Sequence, residues 1–152
     1  MELQNYYNVA EVELTYKPNY KQSERPTVST AKEAYDIFIS HWTMGRIDLI
    51  EEFKILLLNR RNRVLGMVDI SVGGIAGTYV DPKVIFAVAL KSGASGIILC
   101  HNHPSQDLKP SQADIGLTMK LQNGGKLLDI CILDHLIVSN DGFYSFSDSR
   151  II

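Results

Sequence analysis

The stretch Gly96-Ile97-Ile98-Leu99-Cys100 carries no polar side chain and runs straight into His101-Asn102-His103-Pro104. A short apolar run without alternation reads as a strand covered on both faces. Such a strand needs a layer above it and a layer below, so the chain is expected to form an α/β (α+β layered) domain in which helices flank a sheet.

The remaining segments supply those layers. Thr30-Ala31-Lys32-Glu33 has the spacing of a capping box, and Tyr35, Phe38, Ile39 and Trp42 follow at helical intervals, predicting a helix from about 30 to 43. Phe53 to Leu58 and Val64 to Val68 flank the polar turn Asn59-Arg60-Arg61-Asn62-Arg63, the pattern of a hairpin. After the interruptions at Gly73-Gly74 and Gly77, Asp81-Pro82 supplies an N-cap and a first-turn proline for a second helix, which Gly93 should end. Ser111 opens a third helix through Ile115, Leu117, Thr118 and Leu121, expected to stop at Asn123-Gly124-Gly125. Leu128 to Val138 and Phe143 to Phe146 read as a strand pair joined by Asn140-Asp141-Gly142. Residues 1–28, polar and rich in tyrosine, read as an N-terminal arm with a hint of strand from Val9 to Leu14, and residues 29–152 as the domain.

Composition narrows the classes. The chain has 152 residues, enough for one domain with a real core. Lys and Arg number 15 against 17 Asp and Glu, so no global positive field favours a polyanion, and nucleic acid remains possible but unsupported by charge. The longest uncharged apolar stretch, Val84 to Leu90, is far short of a membrane span, and Met1 to Asn5 shows no secretory pattern, so a cytoplasmic protein is expected. Cys100 and Cys131 both sit in apolar runs, which predicts buried free thiols rather than a disulfide scaffold.

The chemistry gathers at 101–114. Alternation along an extended segment points His101 and His103 the same way, so their imidazoles can converge on one ion. Asp114, in the first turn of the helix that Ser111 begins, can bring a carboxylate beside them. Two nitrogens and an oxygen suit Zn2+, and three protein ligands leave a fourth position for water, the pattern of a catalytic site. Ser111-x-x-Asp114 is also a capping-box spacing, and both readings can hold together. His41 has no ligand partner at helical spacing and reads as a surface or interface histidine. His135, beside Asp134 in an apolar strand, reads equally as a support or groove residue for the site and as a hydrogen-bonded core histidine. Glu51 and Glu52 are adjacent; alternation sends them to opposite faces, so only one can serve the site.

His-x-His-x7-Ser-x2-Asp, written as His101, His103, Ser111 and Asp114, resembles the JAMM motif of JAB/MPN proteins. Asp134-His135-Leu136-Ile137-Val138, Tyr144-Ser145-Phe146 and Glu51-Glu52-Phe53 narrow the resemblance to the RadC family, over about residues 30–147. That resemblance implies an MPN fold with a cytidine deaminase-like, three-layer arrangement of a mixed β-sheet between helices. It also implies a zinc metalloprotease-like hydrolase acting on a peptide or protein amide bond. Zinc would be held by His101, His103 and Asp114, with Glu51 as general base and acid and Ser111 as donor to the developing oxyanion. The family's historical label, DNA repair protein, implies the alternative of a nucleic-acid-associated role. Here that role is expected to be weaker, because the helix-hairpin-helix-like segment of longer RadC proteins is absent and only the 59–63 turn is basic, a pattern read as a solvated hairpin tip. Gln106 stands where relatives usually have glycine, which is expected to alter the loop near the substrate. Deaminase chemistry, which needs His-x-Glu and Pro-Cys-x-x-Cys, is excluded because the chain has neither.

Overall fold

The computed structural model describes residues 10, 12, 13, 15–74 and 78–152; Val9, Glu11, Leu14 and Gly77 lie outside them. Five strands form one mixed sheet. They are β1 (Glu52–Leu58), β2 (Val64–Val72), β3 (Gly96–Asn102), β4 (Cys131–Val138) and β5 (Phe143–Ser145), in the order β2-β1-β3-β4-β5. β1 runs antiparallel to both β2 and β3, β3 parallel to β4, and β4 antiparallel to β5. Every residue of β1 and β3 is buried, as expected for central strands covered on both sides.

Three helices provide the covering layers: α1 (Ala31–Ser40), α2 (Pro82–Ser92) and α3 (Gln112–Leu127). Each starts on a residue whose side chain accepts a hydrogen bond from a first-turn N–H: Thr30 from Glu33, Asp81 from Lys83, Ser111 from Asp114. Ala34 and Phe38 of α1 pack with Leu56, Leu58, Ile98, Cys100, Leu136 and Val138 on one face of the sheet. Ile85 and Ala89 of α2 and Leu121 of α3 pack with Ile55, Leu57, Ile97, Leu99 and Ile132 on the other. Alternation along β3 therefore puts His101, in step with Ile97 and Leu99, on the α2/α3 side.

The arm is tied to the hairpin. Val64 N–H donates to the Pro26 carbonyl and Val28 N–H to that of Asn62, each at 2.9 Å, while the hydroxyls of Tyr16 and Tyr20 donate to the Leu65 carbonyl. These contacts cover the otherwise open end of edge strand β2, in line with the need to protect unpaired strand edges.

Several boundaries differ from expectation. α1 ends at Ser40, with His41 as its C-cap, and β2 continues to Val72. α3 does not stop at Asn123-Gly124-Gly125 but runs through it to Leu127. The glycines serve packing there: a Cβ on Gly125 would lie 2.2 Å from the Ile130 carbonyl oxygen, and one on Gly124 2.8 Å from the Phe86 ring. Leu128 then caps the helix, Asp129 takes a positive φ of 53°, and β4 starts only at Cys131. Cys100 is buried, but Cys131 is exposed, because it is the first residue of its strand rather than an interior one; both thiols are free.

Candidate metal centre

β3 and β4 are parallel, and their carboxyl ends meet the start of α3, as at the ligand crevices of α/β sheets. His101 is the penultimate residue of the buried strand β3, His103 lies one residue beyond the strand's end, and the capped first turn of α3 brings Asp114 back toward both. His101 Nε2 is 2.9 Å from His103 Nε2 and 3.2 Å from Asp114 Oδ1, and His103 Nε2 is 3.5 Å from Asp114 Oδ2. Zinc bonds of about 2.0–2.1 Å at tetrahedral angles place ligand atoms about 3.3 Å apart, so the three edges bracket the spacing such an ion requires.

Hydrogen-bond logic fixes which ring nitrogens are bare. Thr118 Oγ1 donates to the Asp114 carbonyl at 2.7 Å, which uses its only hydrogen. Toward His135 Nδ1, 2.6 Å away, the hydroxyl must therefore accept, and His135 carries its proton on Nδ1. Its Nε2 is then an acceptor for His101 Nδ1–H at 2.8 Å. This leaves His101 Nε2 without a proton and aimed at the site. His103 Nδ1 can only donate to the Asp107 carbonyl, at 2.5 Å, so in the neutral ring His103 Nε2 is bare as well. Two bare imidazole nitrogens 2.9 Å apart beside a carboxylate are electrostatically unsatisfied by themselves, and a cation between them resolves the conflict.

Burial and the carboxylate pull these groups in different directions. His135 is fully buried, against Phe146 at 4.6 Å between centroids and Phe53 at 5.6 Å. Burial, with His101 and His103 nearby, holds its pKa well below the usual histidine value, so it stays neutral. Asp114 is half-buried, which alone would disfavour its charge, but the adjoining His101 and His103 rings and the hydrogen bond from the Ser111 N–H push its pKa well down. The pKa of His103 moves up, chiefly through Asp114, so a proton on Nε2 competes with a metal ion for the same place beside the carboxylate.

Glu51 and Glu52 part company at the edge of β1. Glu51 is half-buried and lines a cleft of about 200 Å3 together with His101, Asp114, Phe53, Leu117, Thr78 and Tyr79. Glu52 points into the α1 layer, where Arg46 is 2.9 Å away and Lys54 3.7 Å. Ser111 is exposed at the start of α3, with Oγ accepting from Asp114 N–H at 3.1 Å and its N–H donating to Asp114 Oδ2 at 2.7 Å. The capping box thus sits on the candidate ligand itself.

A family model described as the RadC-like JAB domain matches residues 28–151. The chain belongs to that family. A UPF0758 protein of Flavobacterium johnsoniae is 52% identical over 101 residues, covering 66% of this chain and 44% of the relative. Others, from Chlorobaculum parvum and Desulfitobacterium hafniense, are 40% and 35% identical over 78% and 84% of this chain, covering 54% and 55% of their own lengths. The chain spans about half the length of the curated relatives it matches. Its five-stranded mixed sheet with three helices is consistent with a JAB/MPN architecture.

Within this RadC-like JAB domain, the residues singled out in the sequence fall into distinct places. His101, His103 and Asp114 form the one group of metal-ligand type among the described residues. His135 is a buried, hydrogen-bonded histidine, and its Nε2 lies 2.8 Å from His101 Nδ1. His41 is exposed at the end of α1, its Nδ1 3.0 Å from the Ile37 carbonyl. Gln106 takes a positive φ of 65°, the conformation glycine adopts without strain, and its side chain reaches Asp48 at 3.4 Å. Two participants carried no signal of their own in the sequence. Thr118 reads only as part of the third helix with Ile115, Leu117 and Leu121, and Asn102 stands between the two histidines without a reading of its own. The available clue to Asn102 is an amide two residues past a run predicted to be buried, where a buried amide must find partners.

Proposed function

We propose that this domain is a zinc-dependent hydrolase cleaving an amide bond of a peptide or protein, peptidase- or isopeptidase-like in chemistry. The single observation that carries the reading is the convergence of two proton-free imidazole nitrogens and one carboxylate at the mouth of a cleft that also contains Glu51. His101, His103 and Asp114 would hold the ion, whose Lewis acidity polarises a carbonyl and acidifies water. Glu51 takes the proton from the attacking water and returns it to the leaving amine. Ser111 retains its own hydroxyl hydrogen, since its Oγ only accepts from Asp114 N–H, and donates it to the oxyanion that develops on the carbonyl. Phe53 and Leu117 give the cleft apolar walls and Tyr79, 80% exposed, stands at its rim.

A nucleic-acid role draws on one feature, the cavity of about 420 Å3 lined by Arg25, Arg61 and Arg63 with Gln22, Ser23 and Asn59. It lies at the hairpin end of β1, about 20 Å from the Glu51 end at about 3.3 Å per residue, too far for a phosphate held there to meet the candidate ligands. Among the described residues no helix is long and apolar enough to cross a membrane.

The test is to incubate zinc-loaded protein and its Glu51→Gln variant with a peptide library, ubiquitin-like isopeptide conjugates and branched DNA. The reading predicts cleavage of an amide substrate that Glu51→Gln abolishes. DNA cleavage dependent on Glu51, with every amide substrate untouched, would reverse it.

A further inference from the structure

The carboxamide of Asn102 is fully buried and is committed entirely to the segment that enters β1. Its Oδ1 accepts from Glu52 N–H at 2.7 Å, and its Nδ2 donates to the carbonyls of Ile50 at 2.8 Å and Ile47 at 2.6 Å. The backbone explains why. The β1–β3 ladder ends at the pair Phe53 and His101, after which the chain leaves the sheet toward Pro104. Residues 50–52 consequently have no main chain beside them on that side. The Asn102 side chain replaces it, bonding the carbonyl before Glu51 and the N–H after it as a strand neighbour would. On the other side, Glu51 itself is paired: its carbonyl accepts from Gly73 N–H at 2.8 Å and its N–H donates to the Gly74 carbonyl at 3.4 Å. Glu51 is held from both edges.

We propose that Asn102 is a positioning residue that sets Glu51 relative to His101 and His103, the residues on either side of it in the chain. The proposal rests on the reading of Glu51 as the group that handles the proton. Alternation sends Asn102 to the side opposite the two histidines, so one three-residue step fixes the candidate ligands on one face and the backbone that carries the acid–base group on the other. Only a carboxamide meets the demand, which is an acceptor for one N–H and a donor pair for two carbonyls. Asn102 touches no reacting atom; it acts through Glu51.

The test uses Co2+ as a spectroscopic substitute for zinc in the wild-type chain, Glu51→Gln, Asn102→Ala and Asn102→Asp. The aspartate variant keeps the shape and the acceptor while losing the donor pair, and serves if the alanine variant does not fold. Metal content and the pH midpoint of the visible-absorption change are measured, with hydrogen exchange of residues 47–52 alongside. The proposal predicts metal content equal to wild type in all variants and faster exchange at Glu52 in Asn102→Ala, whose side chain no longer accepts from that N–H. It also predicts a midpoint displaced by about half a pH unit or more, in the same direction as in Glu51→Gln. If Glu51→Gln moves the midpoint and the Asn102 variants do not, Asn102 is merely structural and the proposal is wrong. Loss of metal from folded Asn102 variants also overturns it, because the residue would then act on the ligands. If Glu51→Gln leaves the midpoint unmoved, the reading of Glu51 fails first and this one with it.

Discussion

Thr118→Val is the sharpest probe of the hydrogen-bond chain behind His101. Valine matches threonine in shape but removes the hydroxyl that accepts from His135 Nδ1–H at 2.6 Å and donates to the Asp114 carbonyl at 2.7 Å. The carbonyl lies within α3, so the larger loss is at His135, whose Nδ1–H is left without a partner in a fully buried setting. An unpaired buried donor costs about 1–3 kcal/mol. For a domain of this size, that lowers the melting temperature by about 2–12 °C. The second effect is on protons. Without Thr118 as acceptor, His135 is free to take the tautomer with hydrogen on Nε2, which presents a donor to His101 Nδ1 and moves the His101 proton to Nε2, facing the metal position. Removing a partner of this kind typically costs about 10- to 100-fold in metal affinity. Thermal unfolding of the metal-free chain reads the first effect, and competition with a chromophoric zinc chelator reads the second. Thr118→Ser, which keeps the hydroxyl, should retain most of the affinity. Wild-type zinc affinity in a folded Thr118→Val, or an equal loss in Thr118→Ser, would refute the tautomer argument.

Other consequences follow from the same geometry. Gly125→Ala drives a Cβ to within 2.2 Å of the Ile130 carbonyl oxygen and should destabilise by about 1–3 kcal/mol in chemical denaturation, whereas Gly116→Ala, which meets nothing within 4 Å in the same helix, should stabilise by about 0.5–1 kcal/mol. Zinc uptake should weaken as pH is lowered through the His103 pKa, raised above 6.5 chiefly by its hydrogen bond with Asp114, because the proton competes for Nε2; affinity that stays flat from pH 8 to about 6 speaks against His103 as a ligand. Glu33 has its pKa lowered below 4.5 by the Ser29 and Thr30 N–H groups, so its contribution to stability is present above that value and is lost as pH falls through the lower folded-state pKa. Glu33→Gln should accordingly flatten the acid limb of the stability curve below about pH 4.5, measured by denaturation at successive pH values.

How much of this could be read in advance depends on the range of the interactions. The three helix starts were legible because Thr30, Asp81 and Ser111 act within their own first turns. The grouping of His101, His103 and Asp114 was legible because strand alternation and a capped helix start are local geometry as well. The C-terminal end of α3 was not. Gly124-Gly125 looks the same whether it ends a helix or lets Phe86 and Ile130, from other segments, come close. Thr118 and Asn102 escaped notice for a related reason: their partners lie 17 residues away at His135 and 50 to 55 away at Glu52, Ile50 and Ile47. Cys131 was misread because the apolar run around it does not reveal that the strand begins on that residue.

The central claim is that His101, His103 and Asp114 hold a divalent ion, and elemental analysis of purified protein tests it most directly. Zinc-equilibrated wild type should retain about one ion per chain after gel filtration, and His103→Ala and Asp114→Ala, shown to be folded by circular dichroism, should retain almost none. Equal zinc in all three proteins, or none in the wild type, would contradict the claim.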